Sequence, residues 1–135
     1  MSLFDFAKIC LFSEVNGVVV KDGVPIKGAE VIQTVSYGGG EKVRNSTTTN
    51  SQGEFHFNAL FRHSIRTLLP GASVYDQEII IKYENQEIPG WIMVKQNRQE
   101  NTELDGLPIS LTCDINSEEQ RKTTQSNVVL GICHW

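Results

Sequence analysis

Apolar and polar side chains alternate along most of this chain in short segments separated by turn residues. Residues 54–60 alternate most regularly, with Phe55 and Phe57 on one face and polar residues on the other. Residues 107–115 alternate in the same way, and residues 14–22 are rich in valine. A period of two residues is typical of a half-buried β-strand. The pattern therefore predicts strands over these segments.

Further strands are predicted over residues 29–37, 42–50 and 128–135. The segments 75–84 and 88–96 read as a hairpin, in which Ile79, Ile81 and Tyr83 share one face and Asn85-Gln86 form the turn. Residues 96–106 and 116–127 contain almost no apolar side chains, which predicts two solvated loops.

Residues 59–71 are ambiguous. Phe61, Ile65 and Leu68 recur at helical spacing, which favours a short helix around residues 60–69, but a distorted strand fits almost as well. The apolar N-terminal segment 1–13 leads into the first strand of the sandwich. It is predicted either to pack on the core, as an added edge strand or a helix, or to dock a partner.

The whole pattern predicts an all-β fold. Seven to eight short strands with Gly, Pro, Asn and Asp turns indicate an antiparallel, immunoglobulin-like β-sandwich. A chain of 135 residues with 39% hydrophobic content is long enough for one domain with its own core. Residues 1–135 are therefore expected to form a single sandwich domain.

Gly23 and Gly28 are separated by four residues, with Lys27 just before the second glycine, as in half of a phosphate-binding loop. That motif requires Lys and Ser or Thr directly after the second glycine, and a helix behind them. Here Ala29 and a predicted strand follow instead. Pro25 lies between the glycines, so the segment is predicted to be a turn between strands.

Charge and composition exclude several classes of protein. The net charge is −4, so no basic surface indicates nucleic-acid binding. No apolar run reaches the roughly 20 residues of a membrane helix. The N-terminus lacks the basic start and the cleavage site of a secretory signal, so a cytoplasmic location is expected.

The three cysteines, Cys10, Cys113 and Cys133, are widely spaced and odd in number. This pattern is not typical of a disulfide framework, although one pair plus one free thiol remains an alternative. Cys113 lies on an alternating apolar face and is expected to be a small core residue.

No complete catalytic or metal-binding set is present in the sequence. His56, His63 and His134 lack ligand spacing with the cysteines, so no metal or other cofactor is expected. Ser64 follows His63, but adjacent residues on an extended chain point apart. The chain is therefore predicted not to be an enzyme.

The segment "NGVVVKDGVPIKGAEV", followed by "TTTNSQGEFHF", resembles carboxypeptidase regulatory-like, transthyretin-like β-sandwich modules. The likeness covers residues 14–60 and implies a fold rather than an activity. The whole chain also resembles a family of small bacterial proteins. The positions that carry the likeness to the modules are Gly17, Val19, Gly23, Pro25, Ile26, Gly28, Ala29, Val31, Thr48, Gly53, Glu54, Phe55 and Phe57.

Related transthyretin-like modules include adaptors that tie a type VI secretion spike to its effector, as well as hydroxyisourate hydrolases. The hydrolases use a C-terminal Tyr-Arg-Gly-Ser, whereas this chain ends in Gly-Ile-Cys-His-Trp. The resemblance thus implies a non-catalytic protein-binding module, such as a secretion adaptor or accessory protein. Its partner would be a spike, an effector or a toxin.

Two alternatives remain open: an immunity protein that inhibits a cognate toxin, and a sandwich that binds a carbohydrate or another small ligand. Trp91 and Trp135 would then be stacking platforms for the sugar. The residues predicted to dock a partner are large apolar or cationic side chains of the kind found at interfaces. They are Phe4, Phe6, Phe12, Arg62, Arg66, Trp91 and Trp135.

Overall fold

The computed structural model describes residues 8–37, 40–63 and 74–135 of the chain. Every regular element in these ranges is a β-strand, and they contain no helix. Two larger sheets pack face to face as a sandwich that does not close into a barrel. The all-β sandwich prediction is therefore confirmed.

Thirteen strands are described, more than the seven or eight predicted, partly because β3 and β13 have only two residues each. Their bounds are β1 (Lys8–Phe12), β2 (Val15–Lys21), β3 (Val24–Pro25), β4 (Glu30–Tyr37), β5 (Glu41–Thr48), β6 (Glu54–Phe57), β7 (Leu60–His63), β8 (Tyr75–Tyr83), β9 (Gln86–Lys95), β10 (Ile109–Asp114), β11 (Gln120–Thr123), β12 (Val128–Gly131) and β13 (Cys133–His134).

The larger sheet has six antiparallel strands in the order β11-β12-β9-β8-β4-β5. The second sheet has the order β13-β10-β2, with β3 and β6 both paired to β2. β1 and β7 form a separate two-stranded ribbon. The core lies between the two larger sheets and is dominated by aliphatic and aromatic side chains such as Val19, Phe55, Ile79 and Trp91.

One pair of strands departs from the predicted antiparallel arrangement. β2 and β10 run parallel, with Val15 opposite Ile109 and Val20 opposite Asp114. A period-two pattern shows that a segment is a strand and which face is buried, but it does not identify the neighbouring strand. The pairing joins segments more than 90 residues apart, which is why the sequence pattern could not predict it.

Two predicted turns are confirmed. Asp22 and Gly23 connect β2 to β3, both with positive φ (51° and 83°), which is the geometry of a tight hairpin turn. Glu84 and Asn85, also with positive φ, connect β8 to β9 one residue earlier than predicted. A strand, β4, follows Gly28, so the glycine pair belongs to strand connections and not to a phosphate loop.

The ambiguous segment begins as a strand. Leu60–His63 form β7 and pair with β1, so the predicted helix is wrong over residues 60–63; residues 64–73 lie outside the described ranges. Pairing with the N-terminal segment satisfies the backbone of β7, which helical spacing alone could not reveal. The N-terminal segment accordingly packs on the core through the buried residues Ile9–Phe12.

The polar segments also hold more structure than predicted. β11 forms within residues 116–127 and pairs with β12, although its side chains are mostly exposed. Within residues 96–106, Glu103 and Leu104 are buried. Polar composition predicted solvent exposure for both segments. The prediction missed this structure because composition takes no account of backbone pairing or of internal hydrogen bonds.

Cys113 on β10 and Cys133 on β13 form a disulfide, and Cys10 is a buried free thiol. The structure therefore has the alternative arrangement, one pair plus one free thiol. Because β13 follows β12 of the six-stranded sheet, the bond fixes the crossing of the chain from one sheet to the other. Disulfides persist chiefly in oxidising compartments, so this bond lends no support to the cytoplasmic location, which stays a prediction.

Candidate functional site

A cluster of buried polar side chains lies where the segment 96–106 meets the sandwich. Ser13, Gln77, Lys95 and Glu103 are each at most 1% exposed. They come from four parts of the chain: the residue that follows β1, the inward face of β8, the end of β9 and the segment 96–106. Charged side chains are almost never fully buried unless they are paired, so this buried polar cluster requires an explanation.

The carboxylate of Glu103 is the centre of the buried polar cluster. It accepts hydrogen bonds from the backbone N–H of Ser13 (2.9 Å), from the Ser13 hydroxyl (2.6 Å) and from the Gln77 amide (2.9 Å). The Ser13 hydroxyl also accepts the backbone N–H of Asn101 at 2.8 Å. Glu103 therefore ties the polar segment to β1 and β8.

Gln77 continues the network into the core. Its amide also donates to the backbone carbonyl of Leu11 at 3.1 Å, and its carbonyl accepts the indole N–H of Trp91 at 3.1 Å. The polar atom of a buried tryptophan is thereby satisfied inside the sandwich.

Lys95 is the cation of the buried polar cluster. Its ammonium donates to the backbone carbonyls of Asn97 (2.7 Å) and Gln99 (2.5 Å). Burial lowers the pKa of Lys95 below its usual value, and the negative charge of Glu103 opposes this shift. Burial likewise raises the pKa of the Cys10 thiol, which lies 3.6 Å from the Ser13 hydroxyl.

These groups hold structure in place rather than reach a substrate. Cys10, Ser13 and Lys95 are potential nucleophiles, but each is at most 2% exposed. The neighbouring groove, of about 550 Å³, is lined by residues of the segments 96–106 and 125–127 and by none of these three. Nucleophilic catalysis requires contact with the reacting atom, which this burial prevents.

The sequence carries a signal for the buried polar cluster. Lys95 follows Trp91 and Met93 at two-residue spacing on β9, which places it on the same inward face. Gln77 likewise precedes Ile79 on the inward face of β8. A lysine and a glutamine at inward positions predict buried polar partners elsewhere in the chain.

A groove of about 620 Å³ is lined by residues of the second sheet and of the end of β5, among them the polar side chains of Asn16, His56 and Ser110. Asn16 on β2 lies opposite Ser110 on one side and His56 on the other. Ser110 and His56 are thus two strand spacings apart, roughly 10 Å, far beyond the hydrogen-bond distance that activates a serine. His56 instead contacts the exposed carboxylate of Glu14 at 3.0 Å.

The six-stranded sheet exposes aliphatic side chains on its outer face. Val94, Val128 and Leu130 are 43%, 40% and 37% exposed, and the half-buried Ile80 and Ile92 adjoin them on β8 and β9. These five residues are called the aliphatic face. Leu130 lies directly opposite Ile92 across β12 and β9.

Charged side chains flank the aliphatic face on both sides. The row through Leu130 and Ile92 continues to Arg121 on β11 and to Glu78 on β8. Neither charged side chain has an ion pair or hydrogen bond among the described residues. An apolar centre with an unpaired cation on one side and an unpaired anion on the other is typical of interaction surfaces.

The described residues among those predicted to dock a partner do not form one site. Phe12 and Trp91 are fully buried in the core, so neither can contact a partner in this structure. Arg62 is exposed on β7, and Trp135 is 42% exposed. Phe4, Phe6 and Arg66 lie outside the described residues.

Of the predicted residues, Trp91 and Trp135 contact each other. Their rings meet edge to face at 6.2 Å, and the Lys122 ammonium lies 5.7 Å from the Trp135 ring. Trp91 is buried, so its ring offers no exposed face to a sugar, whereas Trp135 is 42% exposed. The aliphatic face was not predicted, since nothing in a single strand distinguishes an uncovered face from a covered one.

Over residues 8–37, 40–63 and 74–135 there is no helix of membrane-spanning length and apolarity. In the same ranges no group of three or more His, Cys, Asp or Glu side chains is placed to hold a metal ion.

Comparison with known proteins gives a family but no activity. No curated protein matches the chain significantly. A family model described as "Domain of unknown function (DUF6795)" matches residues 15–118, which include β2 to β10 and all of the segment 96–106. Because this match covers more than half of the chain, the protein belongs to the DUF6795 family.

Proposed function

We propose that this protein is a non-catalytic protein-binding module and that it binds through the aliphatic face of its six-stranded sheet. The observation that carries the proposal is the group of exposed aliphatic side chains on β9 and β12. Single exposed apolar residues are normal on a protein surface. An exposed apolar patch with a polar rim, in contrast, is typical of an interaction site. Burying a Val or Leu side chain completely stabilises a complex by about 1.5–3 kcal/mol, and less in proportion where the side chain is already partly covered.

Elsewhere in the part of the chain that the structure describes, the chemistry favours binding over catalysis. The buried polar cluster has no access to a substrate, and the His56 and Ser110 side chains on the second sheet are too far apart to act together. A sheet face held by two layers of packed strands is a rigid platform, which reduces the entropy lost on binding.

The narrower form of the proposal is an adaptor or accessory protein of a bacterial type VI secretion system, whose partner is a spike or an effector. This form rests on the resemblance of residues 14–60 to transthyretin-like modules. The aliphatic face supports the general form only.

The test compares partner capture by three versions of the full chain: wild type, Leu130→Asp and Val24→Asp. Val24 is 65% exposed on β3 of the other sheet, so Val24→Asp places the same charge on an exposed apolar position away from the aliphatic face. Captured proteins are identified by mass spectrometry, and thermal unfolding verifies that each version folds.

The proposal expects a partner that wild type and Val24→Asp retain and that Leu130→Asp loses. A partner that Leu130→Asp retains would place binding elsewhere. The proposal would be refuted if the wild-type chain captured neither another protein nor a second copy of itself.

A further inference from the structure

We infer that the partner of the aliphatic face is a second copy of this chain, so that two six-stranded sheets pack face to face around a twofold axis. This inference rests on the proposed function, since it names the occupant of the same surface. The order of side chains across the sheet carries it.

The central row is complementary to itself. Read across β11, β12, β9 and β8, it runs Arg121, Leu130, Ile92, Glu78: a cation, two aliphatic side chains and an anion. A twofold axis parallel to the strands, between β12 and β9, reverses this order in the second copy. Leu130 then faces Ile92 of the second copy, and Arg121 faces Glu78 of the second copy.

The neighbouring row has the same symmetry. Thr123 on β11 lies opposite Val128, and Val94 on β9 lies opposite Asp76 on β8. The same rotation places the Thr123 hydroxyl, a hydrogen-bond donor, against the carboxylate of Asp76 in the second copy. One twofold axis therefore matches both rows: polar side chains face polar side chains of the second copy, and apolar side chains face apolar ones.

Arg121 and Glu78 cannot pair with each other within one chain. Arg121 and Glu78 stand on strands three spacings apart, about 14 Å, whereas an ion pair requires about 4 Å. Neither has a partner among the described residues. Sheets that pack face to face are about 10 Å apart, a distance that long side chains from the two copies can span together.

A hydrophobic partner of unrelated sequence would cover the aliphatic side chains, but nothing would require it to carry an anion and a cation at the matching positions. A second copy carries both at these positions by symmetry. An isologous contact of this kind is also closed, so it forms a dimer and not a fibre.

The experiment reverses the two charges one at a time in the full-length chain. Arg121→Glu places two carboxylates together at each end of the dimer, and Glu78→Arg places two cations together. Each variant alone is expected to dimerise at least about tenfold more weakly than wild type, measured by sedimentation over a concentration series.

Mixing the two variants is the decisive measurement. In a heterodimer of Arg121→Glu with Glu78→Arg, both charge contacts are again between opposite signs. The mixture is expected to dimerise to within about threefold of wild type, and the chain that carries both reversals is expected to do the same. Arg44→Glu is the control, because Arg44 also lies on the outer face of this sheet, on β5 and beyond the contact, and its reversal should change nothing.

A wild-type chain that stays monomeric throughout the concentration series would overturn the inference. The inference would also be overturned if the single charge reversals left the strength of dimerisation unchanged. The same holds if the mixture of the two variants failed to recover wild-type dimerisation. The proposed function fails separately: if the chain is monomeric but Leu130→Asp loses a captured protein, the surface binds another partner. If the chain is monomeric and that variant loses none, both proposals fail.

Discussion

Replacing Glu103 by alanine tests whether the buried polar cluster stabilises the sandwich. The substitution removes a fully buried carboxylate that accepts three hydrogen bonds, two from Ser13 and one from Gln77. It also removes the negative charge that faces the buried ammonium of Lys95. The segment 96–106 would lose its central attachment to β1 and β8.

The magnitude follows from these contacts. A hydrogen bond to a charged acceptor contributes about 1.5–3 kcal/mol, and a buried donor left without a partner costs about 1–3 kcal/mol. Gln77 keeps its bond to the Leu11 carbonyl, so the two Ser13 donors bear most of the loss. We expect Glu103→Ala to lower the free energy of unfolding by about 3–5 kcal/mol, as when one partner of a buried charged group is removed.

Urea unfolding at neutral pH, followed by tryptophan fluorescence, measures the change. Glu103→Gln keeps the volume but turns one acceptor into a donor, so its loss should be smaller, about 1–3 kcal/mol. Glu100→Ala removes an exposed carboxylate from the same segment and should stay within about 0.5 kcal/mol of wild type. If Glu103→Ala behaved like Glu100→Ala, the buried polar cluster would not stabilise the fold.

Three further predictions concern packing, covalent linkage and pH. Gly17→Ala should cost about 1–3 kcal/mol, since its Cβ would lie 2.2 Å from Cζ of the buried Phe55 ring; Phe55→Leu should recover part of the loss. Reducing the Cys113–Cys133 bond should cost about 3 kcal/mol in urea unfolding, because the bond closes a loop with a sequence separation of 20. Burial lowers the pKa of Lys95 below 10.5, so the unfolded chain binds more protons there than the folded chain. Wild-type stability relative to Lys95→Met should therefore rise as pH increases toward 10.5.

Each of these three predictions has an outcome that would contradict it. A Gly17→Ala chain as stable as wild type would mean that the aromatic ring moves aside without cost. A reductant that does not shift the urea midpoint would mean that the bond adds nothing to stability. A constant difference between wild type and Lys95→Met across alkaline pH would mean that burial does not lower the pKa of that ammonium.

Local features of the fold were largely predictable. Phe55 and Phe57 face inward on β6 as their alternation predicts, and Asp22-Gly23 forms the turn that its composition predicts. Strand periodicity and turn preference depend on neighbouring residues, so a single sequence contains them. Residues 60–63 show the limit: the pattern allowed a helix or a strand, and pairing with β1 decided between them.

The candidate site was much less predictable, because it depends on contacts between distant segments. Glu103 looks like one of several solvated carboxylates in a polar segment, yet it is buried against Ser13 and Gln77. The inward positions of Lys95 and Gln77 on their strands indicate that each needs a buried polar partner. They do not indicate which residue that partner is. Phe12 and Trp91, predicted to dock a partner, are core residues, since large apolar side chains occur both in interfaces and in cores.

By itself, the sequence determined that the chain is all-β, where several of its turns lie and which side chains of its clearest strands face inward. These properties follow from backbone and side-chain preferences over a few residues. Only the tertiary structure decided that β2 runs parallel to β10, that Cys113 pairs with Cys133, and that the aliphatic face has Arg121 on one side and Glu78 on the other. Each of these requires segments far apart in the chain to meet. The free energy that selects such a pairing comes from burying both segments together, which no local pattern records.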